Sequence, residues 1–217
     1  MVERFQDRGE AGRVLAEKLR EFTNDPNVLV LALPRGGVPV GYEIARALSI
    51  PLDVFIVRKL GAPGYEELAM GAIASGGLRV LNEEVIRRLG ISDQQIEAAS
   101  EREQREIQRR ELEYRGDASA VDVNGRKVIV VDDGLATGAT MRAAVQALYL
   151  AGASRIIVAV PVGSVESVGR IAHEADDVIC PLQPEDFEAV GQFYEHFSQT
   201  SDDEVRELLA ESRHVQT

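Results

Sequence analysis

The chain has 217 residues, 45% of them hydrophobic and 28% charged, with a formal net charge of -12. This composition suits one sizeable core, is too polar for a membrane span of about 20 apolar residues, and disfavours the nucleic-acid backbone as a partner, which calls for a basic face. The single cysteine, Cys180, permits no internal disulfide, and the charged start MVERFQDRGE lacks the apolar stretch of a signal peptide, so the expected location is the cytoplasm.

In chain order, Ala11, Val14, Leu15, Leu19 and Phe22 recur at helical spacing, and VLVLAL at 28–33 is an apolar run of strand length. VPVGYEIARAL then sets Val40, Ile44 and Leu48 on one helical face, and DVFIVRKL at 53–60 reads as the next buried strand. AMGAIASGGLRVL holds two short extended runs around Ser75, Gly76 and Gly77, a hairpin signal. A strongly charged helix follows, opened by a capping box of Ser92 and Gln95. Glu101/Arg105 and Glu106/Arg110 have salt-pair spacing on it, and Ile96 and Ile107 mark a thin contact stripe. It reads as a solvated face and carries no chemistry. Further on come the strand KVIVVDD, a helix over 139–151 closed by Gly152, the strand RIIVAVPV, a helix near 165–175 and the strand DVICPL. The tail PEDFEAVGQFYEHFSQ packs four aromatics ahead of a helix capped by Ser201 and Glu204; it reads either as plain packing or as a lid over a planar ligand.

Strands apolar on both faces, alternating with helices, predict an α/β fold: a parallel twisted sheet covered by helices on both faces, in one domain over 1–217. Two stretches break the alternation and read as additions to the core. One is a hairpin-plus-helix insert at about 61–118, and the other a C-terminal hood or tail at about 183–217.

VIVVDDGLATGAT at 128–140 places Asp132 and Asp133 at the carboxyl end of a core strand, the edge where open α/β sheets bind ligands. The glycines that follow let backbone N–H groups face an anion, the helix N-terminus adds positive potential, and Thr137 and Thr140 supply hydroxyls. Neither a Gly-Lys-Ser/Thr run nor the three-glycine dinucleotide spacing is present. Two carboxylates beside a phosphate need hydrogen-bond donors, which the vicinal hydroxyls of a sugar provide, so a ribose 5-phosphate suits both halves. After the strand at 28–33, Arg35 with Gly36 and Gly37 forms a second anion-receiving turn, and Arg58 and Lys59 end the 53–60 run. Together these features suit a sugar with phosphate at one end and diphosphate at the other.

The 128–140 run resembles the phosphoribosyl diphosphate (PRPP) signature of the type I phosphoribosyltransferases. The resemblance implies that Asp132 and Asp133 bind the ribose hydroxyls and that Gly134, Leu135, Ala136, Thr137, Gly138, Ala139 and Thr140 form the 5-phosphate loop. It also implies a Mg²⁺ ion bridging diphosphate and ribose oxygens, met by Asp132 and Asp133 through water or ribose hydroxyls. LPRGG is similar to the family's diphosphate loop, which puts Arg35, Gly36 and Gly37 there, and VRK resembles the strand whose basic residues, here Arg58 and Lys59, touch the diphosphate. The matched core is 28–60 and 126–182; the remainder more loosely resembles uncharacterised members with a charged helical insert and an aromatic tail.

The implied reaction displaces diphosphate from the anomeric carbon of PRPP by a nitrogen nucleophile, normally a nucleobase, through a transition state of oxocarbenium character. Arg35, Lys59 and Mg²⁺ would stabilise the departing diphosphate. Implied partners are PRPP and a nucleobase, with neither nucleic acid nor membrane, and a homodimer is left open. One departure bears on the base. Hypoxanthine and guanine enzymes usually carry an aspartate where this chain has Ala136, which implies that 6-oxopurines are poor acceptors and that proton transfer comes from outside the loop. Glu66 and Glu67 in GAPGYEELAMG are the candidates, Glu67 the better, against the alternative of plain surface carboxylates. A noncatalytic PRPP- or nucleotide-sensing protein on the same fold is the alternative function. A phosphohydrolase using the aspartate pair for metal is weaker, because the carboxylates are adjacent and late in the chain. His173, His196 and His214 read as surface residues, and Cys180 as a buried small residue.

Overall fold

The computed structural model describes residues 4–116 and 118–214. Helix α1 (Arg8–Lys18) begins where the Asp7 carboxylate accepts the Glu10 N–H at 2.8 Å, and a short 3-10 turn then leads to β1 (Val28–Ala32). Next come α2 (Gly37–Leu48), β2 (Leu52–Val54), β3 (Val57–Ala62), β4 (Tyr65–Ala74) and β5 (Leu78–Leu81). Helices α3 (Glu83–Leu89) and α4 (Asp93–Arg115) follow. The chain continues through β6 (Lys127–Val131), α5 (Ala139–Leu150), β7 (Arg155–Ala159), α6 (Val165–Ile171) and β8 (Asp177–Ile179), and its last described helix is α7 (Asp202–His214).

Five strands form a parallel sheet in the order β2-β1-β6-β7-β8. Side chains alternate across each strand, and both faces are covered. Val28, Val30, Ile129 and Val131 join a core with α1, α2, α4 and α7, whereas Leu29, Leu31, Val128 and Val130 join a second core built largely with α5. This explains why these runs are apolar throughout, as the α/β reading predicts.

The run at 53–60 departs from its expectation of a single strand. It divides at Phe55 and Ile56 between two sheets. β2 pairs with β1 in parallel, while β3 belongs to a separate antiparallel sheet of order β3-β4-β5. The Phe55 N–H still reaches the Ala32 carbonyl at 3.0 Å, but the Ile56 N–H turns to Ser75 Oγ at 3.0 Å, and the Ser75 N–H returns to the Ile56 carbonyl at 2.8 Å. Both residues at the break are buried, so no polar residue marks it. The second sheet therefore starts at Val57, inside the stretch assigned to the core.

The hairpin around residues 75–77 is present, and α4 carries the expected Ser92/Gln95 capping box with Ile96 and Ile107 buried. Glu106 pairs with Arg110 at 2.7 Å, while Glu101 and Arg105, both exposed, form no ion pair among the described residues. At the end of α4, Arg115 is buried; it donates to Asp53 Oδ1 and to the Val54 carbonyl, each at 2.8 Å, and so fastens the insert to β2. The short helix α3, capped by Asn82 and stopped by Gly90 in the left-handed region, escapes recognition in the sequence because it is only seven residues long and Val85, Ile86 and Leu89, which pack on the core, are only partly buried.

Candidate functional site

β6 ends at Val131, and the chain passes through Asp132 and Asp133 into a loop that starts α5. The loop is fixed along one side. Leu135 donates to the Val162 carbonyl at 2.8 Å and accepts from the Ser164 N–H at 3.2 Å, and the Ser167 hydroxyl donates to the Ala136 carbonyl at 2.5 Å. Gly134 lies so close to the tail that a Cβ there would be 2.5 Å from Val190 Cγ1. Gly138 caps α5 at φ 74, and the helix's first internal bond is from the Arg142 N–H to the Gly138 carbonyl at 2.9 Å. The N–H groups of Thr140 and Met141 therefore precede the helical ladder. Ala136, Thr137, Ala139 and Thr140 are exposed. The result is a rigid turn with a helix N-terminus behind it and an open face, a geometry that receives an anion.

The loop carrying Arg35, Gly36 and Gly37 comes to the same edge. The Leu33 N–H reaches the Val131 carbonyl at 2.8 Å, and a Cβ on Gly36 would fall 2.0 Å from Asp133 Oδ2. Only glycine allows that approach. The Pro34–Arg35 peptide is cis. The Arg35 side chain leans toward α7, where NH1 lies 3.7 Å from Asp202 Oδ2; the Tyr114 hydroxyl donates to the other oxygen of Asp202 at 2.6 Å.

The two aspartates have different surroundings. Asp132 Oδ1 accepts the Asp133 N–H at 2.8 Å. Dense packing around Asp132, followed by the charge of Asp133, pushes the Asp132 carboxyl well above the usual carboxylate range, with Arg8 opposing the shift. Asp133 Oδ2 accepts from Arg8 Nε at 2.9 Å and lies 2.8 Å from NH2 of the same guanidinium as an ion pair, and the Asp133 carbonyl accepts the Tyr194 hydroxyl at 2.6 Å. Burial, then the charge of Asp133, drives the Tyr194 hydroxyl far up, so it is a firm donor. Arg8 and Tyr194 are not legible as site residues in the sequence. Arg8 follows the cap of α1 and lies 125 residues from its partner, and the aromatic cluster is the only sequence signal pointing toward this edge.

Arg58, Lys59 and Glu67 come together elsewhere. With Glu66, Arg102 and Glu103 they line an open cavity of about 370 Å³ between β3, β4 and α4. Arg58 pairs with Glu103 at 2.8 Å, and Lys59 with Glu67 at 3.4 Å. No residue of the 132–140 loop is among its lining residues. Asp132, Asp133, Gly36 and Gly37 thus meet at the sheet edge, while Arg58, Lys59 and Glu67 line one cavity on the second sheet.

His173 and His196 are exposed, while the side chain of His214 lies outside the described residues. Cys180 is half-buried just after β8, and burial pushes its thiol up to about 12, which disfavours a thiolate. Among the described residues no three histidine, cysteine or acidic side chains converge as a metal site, and no helix is long and apolar enough to cross a membrane. Two adjacent carboxylates alone suit a Mg²⁺ ion that keeps water and takes most of its oxygens from a phosphorylated ligand.

Three comparisons bear on this geometry. The model of a family described as phosphoribosyl transferase domain matches residues 2–198. Proteins from two strains of Mycobacterium tuberculosis, both provisionally named phosphoribosyl transferases, are 47% identical over 205 residues, which is 94% of this chain. The chain spans 46% of the length of those relatives. The crystal structure of TT1426 from Thermus thermophilus superposes with a TM-score of 0.85 at 42% identity, covering 96% of this chain and 98% of that one.

Proposed function

We propose, because this chain belongs to the phosphoribosyl transferase family, that it transfers the 5-phosphoribosyl group of PRPP to a nitrogen nucleophile, with release of diphosphate. The single observation that carries this reading is the meeting of three groups at one sheet edge: the open loop 134–140, the Asp132–Asp133 pair, and Gly36 pressed against Asp133.

In this reading the N–H groups at the start of α5, with the Thr137 and Thr140 hydroxyls, hold the 5-phosphate. Asp132 and Asp133 accept hydrogen bonds from the vicinal ribose hydroxyls, each charge-assisted bond worth about 1.5–3 kcal/mol. The turn at Arg35, Gly36 and Gly37 receives the diphosphate, for which Arg35 would leave the loose 3.7 Å contact with Asp202. Mg²⁺ bound with PRPP would offset the charge gathering on the diphosphate as it departs. Asp132 and Asp133 would hold that ion through water or the ribose hydroxyls. The anomeric carbon develops positive charge as its bond to the diphosphate oxygen lengthens, and the acceptor nitrogen supplies the new electron pair.

The acceptor is a nucleobase in this proposal, and a 6-oxopurine is disfavoured because position 136 offers only a methyl group. Lys59 and Glu67, 3.4 Å apart on the exposed hairpin, are the pair that would meet diphosphate and acceptor. The test is incubation with PRPP, Mg²⁺ and a panel of nucleobases while diphosphate release is followed. Release with one base at about 1–10³ per second supports the proposal. PRPP binding without release for any base would establish a sensing protein instead, and turnover of hypoxanthine or guanine at that rate would refute the argument from Ala136.

A further inference from the structure

The Asp133 carboxylate is held from outside its own loop by a segment far away in the chain. Arg8 directs both Nε and NH2 at one oxygen, Oδ2, at 2.9 and 2.8 Å. Its remaining donor, NH1, goes to the Ser198 carbonyl at 2.7 Å, and the guanidinium carbon lies 4.0 Å from the centre of the Phe197 ring. Gly36 closes on the same oxygen: a Cβ there would be 2.0 Å from Oδ2 but 3.2 Å from Oδ1. No N–H or hydroxyl donor among the described residues reaches Asp133 Oδ1 or Asp132 Oδ2, neither atom is fully buried, and the two carboxyl groups lie close enough to share a proton. Each carboxylate therefore has one oxygen fixed by the protein and one left over.

We infer that Arg8 is a positioning residue for the aspartate pair: by fixing Oδ2 of Asp133 it orients the carboxylate so that Oδ1, with Oδ2 of Asp132, accepts the vicinal hydroxyls of a sugar phosphate. This rests on the ribose-phosphate reading above and adds to it a residue outside the PRPP-like stretch. The alternative, that Arg8 blocks the site, fits the geometry less well. A blocking arginine would cover the free oxygen or be held only by the aspartate, whereas Arg8 leaves Oδ1 open and is gripped by Ser198 and Phe197 as well.

The grip is built by both ends of the described chain. The Phe5 N–H donates to the Phe193 carbonyl at 2.9 Å, the Glu195 N–H to the Phe5 carbonyl at 2.8 Å and the His196 N–H to the Gln6 carbonyl at 2.9 Å. Asp7 then starts α1, which puts Arg8 at the first helical position beside the tail. Arg8 also places a positive charge next to two adjacent carboxylates, which lowers the cost of keeping both ionised.

The test compares ribose 5-phosphate with inorganic phosphate, which uses the loop but has no hydroxyls to offer. Dissociation constants are measured by NMR titration for the wild type, Arg8→Gln and Arg8→Lys. The wild type is measured first, and tighter binding of ribose 5-phosphate than of phosphate is required by the ribose-phosphate reading. Equal affinities there would overturn that reading and this inference with it, before any variant is used. Given that preference, Arg8→Gln is expected to weaken ribose 5-phosphate by about tenfold or more while phosphate changes less than about twofold, and Arg8→Lys recovers part of the loss. Equal losses for both ligands would reduce Arg8 to a purely structural role, and tighter ribose 5-phosphate binding would make it a blocking group; either result overturns the inference. If Arg8→Gln fails to fold, Phe197→Leu loosens the same guanidinium and must show the same selective loss in smaller degree, and an unselective loss there overturns the inference equally.

Discussion

The sheet edge around Asp133 and the hairpin cavity around Lys59 both bring a cation to a carboxylate, and they do so in opposite ways. Arg8 and Asp133 keep 12% and 16% of their side-chain surface exposed and meet at 2.8 Å, while Lys59 and Glu67 keep 48% and 102% and meet at 3.4 Å. An enclosed, multiply bonded pair fixes where the unused oxygen lies. An exposed pair is worth little and fixes nothing. The edge is therefore held in place, whereas the hairpin pair is free to move.

The largest break in that comparison would come from detaching the insert. Arg115→Met removes the buried partner of Asp53, and a loss of about 3–5 kcal/mol is expected in chemical denaturation. Protein that stays folded should still bind ribose 5-phosphate; concomitant loss of binding would show that the insert shapes the edge. Gly36→Ala comes next, because its Cβ would sit 2.0 Å from Asp133 Oδ2. An overpacking cost of about 1–3 kcal/mol is expected, together with loss of the thermal shift expected of the wild type with PRPP and Mg²⁺. A full shift in this variant would mean that the edge yields to the added methyl group and is not rigid.

The smallest of these effects concerns the pair itself. The folded state raises the Asp132 carboxyl above its ordinary value of 3.8, so ionising it costs folding free energy at neutral pH, and that cost vanishes below the ordinary value. Asp132→Asn should raise Tm at pH 7.5, with the gain shrinking as pH falls toward 4. A gain that grew toward acid pH would reverse the sign of the argument.

Much of the edge was legible because it is local in the chain. An apolar strand, two carboxylates, glycines and a helix start lie within thirteen residues, and backbone geometry does the rest. The same holds for β1 with the turn at 34–37. What escaped depends on distance in sequence. Nothing in the run at 53–60 shows that it feeds two sheets, because Phe55 and Ile56 are buried either way. Nothing near Arg8 announces Asp133, and Tyr194 was visible only as one member of an aromatic cluster. The joining of Arg58, Lys59 and Glu67 was foreseeable from their shared hairpin, but the part that Arg102 and Glu103 of α4 take in the same cavity was not.

The central claim is that ribose-phosphate recognition resides at the aspartate edge and not in the hairpin. Calorimetric titration with ribose 5-phosphate, which lacks the diphosphate, tests it most directly in three proteins: wild type, Asp132→Asn with Asp133→Asn, and Lys59→Ala. The account predicts that the double variant loses affinity by about tenfold or more and that Lys59→Ala binds as the wild type does. Unchanged affinity in the double variant, or an equal loss in Lys59→Ala, would contradict it.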